Sequence, residues 1–312
     1  MAHTCWCYTT DLNYLLPTLV SAFQTKGRLE CPSDIVSIIY FGEVNSIVSR
    51  YKPLIEMNGI VLNIVPVSTL NGSGMVCARF HISEILRDEI KSVVYIDADT
   101  QIVGNLNLLS NATPKAGGLL AAPDLMSFTA TSGKKSSQQR SQYFNGLGIN
   151  TVNQEKYFNA GIIKFNLADW HEISRDCLRI LRDRRSNPLM FHDQDALNIV
   201  MSGRQELISL RWNWPAFFIG RNLDDLVDPR IIHYMSKPRP WDGAFRPWGI
   251  CGNAPYLDII AKYPELSSLY KPMKGIRYMR YVIQQFAKGI YEDWGSEDMR
   301  RQISRSELNA KF

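Results

Sequence analysis

The chain of 312 residues contains no uninterrupted apolar run of the length that a bilayer-spanning helix needs, about 18 residues or more. It opens with Met1-Ala2-His3-Thr4 and no basic n-region, and Thr9, Thr10 and Asp11 break the apolar stretch that follows. No secretory signal is therefore expected, and the expected location is the cytoplasm. There is no G-x-G-x-x-G. The nearest segment, Gly146-Leu147-Gly148-Ile149-Asn150-Thr151, lacks the third glycine and follows polar residues instead of a strand. A P-loop is also missing, so dinucleotide dehydrogenases and P-loop kinases fall away. Thr9-Thr10-Asp11-Leu12-Asn13 is not the glycine-rich phosphate loop with which a sugar nucleotidylyltransferase would open. The 6 cysteines show neither zinc-ligand spacing nor a disulfide framework and read as reduced, mostly buried thiols. In a cytoplasmic chain the sequons at Asn71 and Asn111 carry little meaning. The net charge of +5 is modest, and the first 270 residues hold no basic-aromatic platform, which leaves no case for nucleic acid.

What is present is an alternation of apolar strands and amphipathic helices. Residues 5–9, 35–41, 61–65, 93–96, 117–122, 157–165 and 231–234 read as strands. Residues 12–25, 46–57, 76–86, 170–185 and 193–201 read as helices. Such alternation implies βαβ units and a mainly parallel sheet flanked by helices, with ligands beyond the carboxyl ends of the strands. Residues 127–150 are rich in Ser, Gln, Gly and Lys and read as a long loop, of the kind that serves as a lid. From about Ala254 onward the chain reads as helical and appended, so the expected division is a catalytic domain over 1–250 and a C-terminal appendage over 251–312.

Two Asp-x-Asp pairs occur, Asp97-Ala98-Asp99 and Asp193-Gln194-Asp195, and about one is expected by chance at this aspartate content. Context raises the first pair. It follows Val93-Val94-Tyr95-Ile96, a run suited to burial on both faces, and two carboxylates there are costly without a cation or hydrogen-bond donors. A hard divalent ion, Mg²⁺ or Mn²⁺, suits such ligands. A helix N-cap or a solvated turn is the plain alternative.

Five segments in order across about residues 5 to 248 resemble the retaining glycosyltransferases of family 8, the glycogenin and bacterial lipo-oligosaccharide galactosyltransferase type. They are Thr9-Thr10-Asp11-Leu12-Asn13-Tyr14, Tyr95-Ile96-Asp97-Ala98-Asp99, Tyr157-Phe158-Asn159-Ala160-Gly161, Asp193-Gln194-Asp195-Ala196-Leu197-Asn198, and His233-Tyr234-Met235-Ser236-Lys237-Pro238-Arg239-Pro240-Trp241. The resemblance implies a GT-A-type nucleotide-sugar-binding fold with a C-terminal helical tail. It implies Asp97, Asp99 and His233 as ligands of Mn²⁺ or Mg²⁺, and a UDP-sugar as donor. Thr9, Asp11, Asn13 and Tyr14 resemble the uridine site, although Asp11 and Asn13 also fit as caps of the first helix. Arg79 resembles an arginine that reaches donor sugar or diphosphate, with a surface helix charge as the alternative. Ala98, Asp124, Asn159, Ala160, Asp193 and Gln194 resemble the donor-sugar pocket. The turn after His233 departs from the family's H-x-x-G-x-x-K-P-W. Ser236 stands for the glycine, which leaves open how closely the backbone approaches phosphate, and Arg239 stands for the lysine, keeping the charge and adding a bidentate fork. Leu12 is a smaller departure.

The implied reaction is transfer of a hexose, galactose or glucose, to a saccharide with retention, giving an α-glycoside in bacterial surface-glycan synthesis. Gln194 sits where the family has its best nucleophile candidate, and an amide is a poor nucleophile. A same-face mechanism, in which the departing phosphate assists deprotonation of the acceptor, is therefore expected over a double displacement through Asp193 or Gln194. Two other readings stay open, a silent nucleotide-sugar-binding protein and a self-glucosylating primer. In the tail, Lys271, Lys274, Arg277, Arg280 and Lys288 occur with no acid before Glu292, while Ile276, Met279, Ile283, Phe286 and Ile290 recur at helical spacing. That pattern fits an anionic membrane surface bound through 271–291, on the inner face of the cell membrane, beside a lipid-linked glycan acceptor. A helix docked on the catalytic domain is the alternative.

Overall fold

Strand β1 (Thr4–Thr10) alternates Trp6 and Tyr8 with Cys5 and Cys7, and all seven of its residues are buried. Neither face of this strand meets water, because it is an inner strand of a seven-stranded sheet covered on both sides. The computed structural model describes residues 4–43, 47–130, 135–184, 188–293 and 296–312. The remaining strands are β2 (Ile35–Phe41), β3 (Ile60–Val65), β4 (Ser92–Ile96), β5 (Thr100–Ile102), β6 (Leu119–Pro123), β7 (Phe158–Asn166), β8 (Gln205–Leu207), β9 (Trp214–Pro215) and β10 (Ile231–His233). The large sheet has the order β3-β2-β1-β4-β7-β6-β8. β7 is antiparallel to both of its neighbours, and every other pairing in that sheet is parallel. The mainly parallel sheet flanked by helices is therefore present.

The period-2 alternation divides the interior into two cores. Trp6, Tyr8, Val36, Ile38, Val94, Ile96 and Ile162 face helices Leu15–Lys26 and Val48–Met57. Cys5, Cys7, Phe41, Val93, Tyr95, Ile163 and Phe165 face helices Leu167–Asp183 and His192–Val200. Helix Leu167–Asp183 buries Leu167, Trp170, Ile173, Ser174 and Cys177, the three- and four-residue spacing of one helical face. The cysteines are free thiols, four of them buried, with Cys31 half-buried and Cys251 exposed.

Three expectations change. Residues 127–150 are not a bare loop, because helices Leu125–Ala130 and Lys135–Gly146 occupy most of the stretch. The second is polar along most of its length and is held near its end by buried Phe144, too sparse an apolar pattern to announce a helix. Residues 76–86 form a 3-10 helix, Met75–His81, and a single α turn, Ile82–Ile85, where one α-helix was expected. The short strands β5, β8 and β9 were not anticipated. The expected starts and ends at Ser46 and Arg185 fall outside the described residues.

After residue 248 the chain is helical: Gly249–Lys262, the 3-10 segment Pro264–Leu269, Gly275–Asp293 and Ser296–Glu307. Tyr256, Leu266 and Ile303 are buried in the first core, and Lys311 bridges in parallel to Ile208 beside edge strand β8. Helix Gly275–Asp293 behaves differently. Tyr278 and Tyr281 pack on Phe245 at ring-centroid distances of 4.8 and 6.3 Å, while Ile276 is 90% exposed and Met279, Ile283 and Phe286 are exposed as well. The side chain of Ile290 falls outside those described. Among the described residues, no helix is long and apolar enough to cross a membrane.

Candidate active site

Three chain segments converge because of strand register. β4 ends at Ile96, and the ladder with β7 continues one step further through Asp97 N–H donating to Gly161 O at 2.7 Å. The turn through Asp99 leads into β5, and β10 pairs with β5 so that His233 lies opposite Thr100. Tyr234 N–H donates to Asp99 O at 2.8 Å, fixing His233 beside Asp99. Ligand atoms of Asp97, Asp99 and His233 all lie within 4.8 Å of one another. His233 Nε2 is 3.2 Å from Asp99 Oδ1 and 3.8 Å from Asp97 Oδ2. Gly161 makes room for the ring, since a Cβ there would lie only 2.3 Å from the imidazole Cε1.

The tautomer of His233 follows from a backbone amide. Gly161 N–H donates to Asn159 Oδ1 at 2.9 Å, which identifies that atom as the oxygen. The Asn213 atom facing it at 2.8 Å must then be the donor, Nδ2. Asn213 Oδ1 accordingly faces His233 Nδ1 at 2.8 Å, and that nitrogen carries the proton. In the neutral ring, Nε2 therefore points a lone pair at two carboxylates. A second proton on the ring or a metal cation between the three groups makes that arrangement favourable, and an Asp/Asp/His oxygen-nitrogen set suits a divalent metal. The donor set fits the expected ion.

Two arginines close the cluster. Arg79 is buried, not on the surface. It contacts Asp97 Oδ1 through Nη2 at 3.0 Å and Asp193 Oδ2 through Nε at 2.9 Å, and it donates to Ala160 O. Burial would lower its pKa, but Asp97 and Asp193 among its neighbours outweigh burial and keep it charged. Arg239 donates to Asp99 Oδ2, while its Nε is buried without a partner. Burial works to raise the Asp99 carboxyl, but His233 and then Arg239 outweigh it and hold the group at about 2. Asp193 is shifted up, by burial first, with Arg79 pulling it back and Asp97 pushing it further.

Most of the other expected residues are bonded to this cluster or to one another. Thr9 Oγ1 lies 3.2 Å from Tyr95 Oη, which donates to Asp97 Oδ1 at 2.7 Å. Asp11 caps the first turn, accepting from Asn13 N–H at 2.9 Å and Tyr14 N–H at 3.2 Å. Tyr14 packs edge-on against Trp241 at 5.7 Å, beside Arg239. Ala98 is buried between the two aspartates. Asp124 Oδ2 accepts from Asn159 Nδ2 at 3.0 Å and Gln194 Nε2 at 3.2 Å, and Ala160 N–H donates to Gln194 Oε1 at 3.2 Å. Ser236 is exposed on its turn, and the structure does not bring it into the cluster. Sequence reasoning gave no role to Tyr95, Tyr157, Asp195 or Asn213. The only signal for the first three was their place inside quoted motifs, and Asn213 had none.

A family model described as glycosyl transferase family 8 matches residues 5–244. The chain is 23% identical over 254 residues to lipopolysaccharide glucosyltransferase WaaO of Escherichia coli, covering 75% of this chain and 71% of that protein. It is 24% identical over 180 residues to general stress protein A of Bacillus subtilis, covering 53% and 58% respectively. It is 26% identical over 194 residues to the lipopolysaccharide 1,3-galactosyltransferase of Salmonella typhimurium, covering 58% and 52%. The chain thus spans little more than half the length of two of these relatives. Among solved structures, galactosyltransferase LgtC in complex with donor and acceptor sugar analogues matches with a TM-score of 0.63 and 20% identity, over 83% of this chain and 95% of that one. The apo structure of the bifunctional glycosyltransferase WbbM matches with a TM-score of 0.65 and 22% identity, over 86% and 51%. At such identities the likeness shows the fold, which is of the GT-A type. With the family model covering most of its length, the chain belongs to glycosyl transferase family 8.

Proposed function

We propose that this protein is a metal-dependent retaining hexosyltransferase that moves galactose or glucose from a UDP-sugar to a saccharide acceptor. The product is an α-glycoside in a bacterial surface glycan. The observation that carries the reading is the Asp97/Asp99/His233 cluster, with the proton of His233 held on Nδ1 and Nε2 aimed at the two carboxylates. The names of two relatives, a lipopolysaccharide glucosyltransferase and a lipopolysaccharide galactosyltransferase, support the choice of sugar and pathway class. A bound Mn²⁺ or Mg²⁺ would supply Lewis-acid charge to the leaving diphosphate. Arg239, with a free buried Nε, binds phosphate oxygen, and Arg79 holds Asp97 and Asp193 in place. Asp11, Asn13 and Tyr14 take the uridine. Asp124, Asn159 and Gln194 take sugar hydroxyls, with Thr9, Ala98, Ala160 and Ser236 bordering the donor.

Asp193 is ion-paired to Arg79, and Gln194 is a carboxamide, so neither offers an unencumbered nucleophile. The acceptor hydroxyl instead forms its bond to the anomeric carbon on the face from which UDP leaves. The C–O bond to phosphate breaks, and the hydroxyl proton passes to the departing phosphate oxygen. Helix Gly275–Asp293, with exposed Ile276, Met279, Ile283 and Phe286 among basic residues, rests on an anionic bilayer at the cytoplasmic side, near a lipid-linked acceptor.

The test is incubation of the full chain with UDP-galactose or UDP-glucose, Mn²⁺ and no acceptor. Slow UDP release that stops on chelation is expected. Release indifferent to chelator removes the metal from the reading. Donor binding without release makes the chain a silent binder, and hexose mass added to the chain itself makes it a self-glucosylating primer.

A further inference from the structure

Directly behind Gln194 lies a carboxylate that has no cation on it among the described residues. Asp195 is fully buried. Its Oδ1 accepts from Tyr157 Oη at 2.6 Å, and its Oδ2 accepts from Phe191 N–H at 2.8 Å and from Tyr143 Oη. The bond to Phe191 closes the first turn of helix His192–Val200, an ordinary capping role. Capping needs neither tyrosine. Burial first and Asp195 next raise Tyr157 above the usual phenol range, so its hydroxyl stays protonated.

That single proton goes to Asp195, and the Tyr157 oxygen is left with lone pairs only. The group facing it at 3.2 Å is Gln194 Nε2. The other Gln194 amide hydrogen goes to Asp124 Oδ2 at 3.2 Å, and Oε1 receives the Ala160 N–H at 3.2 Å. The reversed carboxamide would set its oxygen against the Asp124 carboxylate and its NH₂ against a backbone N–H. Both donors of Gln194 are therefore committed, and its remaining capacity is one lone pair on Oε1.

We propose that Asp195 and Tyr157 are positioning residues, which fix the Gln194 carboxamide so that it offers substrate an acceptor oxygen and no donor. This rests on the reading that Gln194 borders the donor sugar. An oxygen held there accepts from a sugar or acceptor hydroxyl and favours positive charge developing at the anomeric carbon. Tyr143, which reaches Asp195 from helix Lys135–Gly146, bonds the same carboxylate, whereas the Gln194 carboxamide bonds Tyr157, Asp124 and Ala160. It is the built-in control.

The experiment uses full-length Tyr157→Phe, Tyr143→Phe and Asp195→Asn, with Mn²⁺-dependent UDP-sugar hydrolysis, UDP calorimetry and thermal melting. Tyr157→Phe should lower kcat about tenfold to a hundredfold, the worth of one strong hydrogen bond. Its KM for donor and its UDP affinity should stay within about twofold of wild type. Tyr143→Phe should lower the melting temperature and keep kcat within about twofold. In Asp195→Asn the new NH₂ can donate to Tyr157 and reverse the relay, so its kcat should fall at least as far as in Tyr157→Phe. If that variant does not fold, the two tyrosine variants decide. Wild-type kcat in Tyr157→Phe, or equal kcat losses in both tyrosine variants, overturns the relay. Absence of any wild-type turnover overturns the proposed function instead. The relay is then read from the ¹⁵N resonance of the Gln194 side-chain amide, assigned by its loss in Gln194→Met. That resonance should move in Tyr157→Phe and not in Tyr143→Phe, and a resonance unmoved in both overturns the relay.

Discussion

Strands β1, β4 and β7 carry a buried polar cluster at each end, and the two clusters are built differently. At the end remote from Asp97, Lys164 Nζ donates to Ser110 O at 2.5 Å, Leu109 O at 3.0 Å and Thr4 Oγ1 at 3.4 Å. Asp34 accepts from Thr4 N–H at 3.3 Å and from the Ser110 hydroxyl. Every donor of the ammonium has an acceptor. At the other end, Arg239 Nε is buried without a partner, and His233 Nε2 faces two carboxylates. Single unpartnered groups, such as the Trp6 indole N–H, occur elsewhere in the core. What marks the Asp97 end is the convergence of unused capacity with excess charge. Buried polarity alone is structure, whereas buried polarity that remains unfinished points to a ligand.

The largest test of that contrast is Asp99→Asn. It should lower Mn²⁺-dependent UDP-sugar hydrolysis by about a thousandfold or more, since a ligand to the cation is lost. Mn²⁺ binding followed by electron paramagnetic resonance should fall with it, and an unchanged Mn²⁺ signal would break the comparison. Asn213→Ala comes next. Asn213 bonds His233 and Asn159 from outside the cluster, and loss of such an outer partner should weaken Mn²⁺ by about 10- to 100-fold. Equal affinity in the variant would mean that the tautomer is set by something else.

The remote cluster should answer in the opposite currency. Lys164→Met removes the donor to Leu109 O and one of the two donors to Ser110 O, and should cost about 1–3 kcal/mol of stability, read by denaturant unfolding. Mn²⁺ and UDP affinity should be untouched. Burial also pushes the Lys164 ammonium down to about 8, with Asp34 opposing. A lysine whose folded pKa lies below its unfolded value holds fewer protons folded than unfolded between the two. Wild-type stability should therefore rise from pH 8 toward the ordinary lysine pKa, about 10.4, and the rise should be absent from Lys164→Met. A wild-type curve parallel to that of the variant would contradict the assignment.

How much of this was legible beforehand depended on how local each feature is. Asp97 and Asp99 were visible because a both-faces-buried strand ends beside them in sequence. His233, although 134 residues from Asp99, was visible through the ordered motifs of the family. Asn213 was not, because its contacts reach Asn159 and His233 through the fold, 54 and 20 residues away. The same holds for Tyr143, which meets Asp195 across 52 residues from a stretch that reads as loop by composition. Arg79 read equally as a surface charge, because a short 3-10 helix followed by a single α turn holds neither period long enough to show which face is buried. Strands of two or three residues, such as β5 and β9, lie below the length at which alternation is distinguishable from chance.

The smallest expected effect concerns the helix that lacks a finished environment of another kind. Gly275–Asp293 is tied down by Tyr278 and Tyr281 on Phe245, and by Arg221 donating to Gly289 O at 3.4 Å. Its outward face shows Ile276, Met279, Ile283 and Phe286 to solvent. Here the unused capacity is apolar, so the matching partner is a surface and not an ion. Replacing exposed Arg277 and Arg280 by Gln should weaken binding to anionic vesicles by about 1 kcal/mol per charge, or roughly fivefold each, read by sedimentation at low salt. Ile283→Asp should weaken it further. Neither change touches the Asp97/Asp99/His233 cluster, so acceptor-free UDP-sugar hydrolysis should remain at the wild-type rate. If both variants bind vesicles like the parent chain, or if the parent does not bind at all, the exposed face serves something other than a bilayer. The contrast with the metal end would then be one of packing alone.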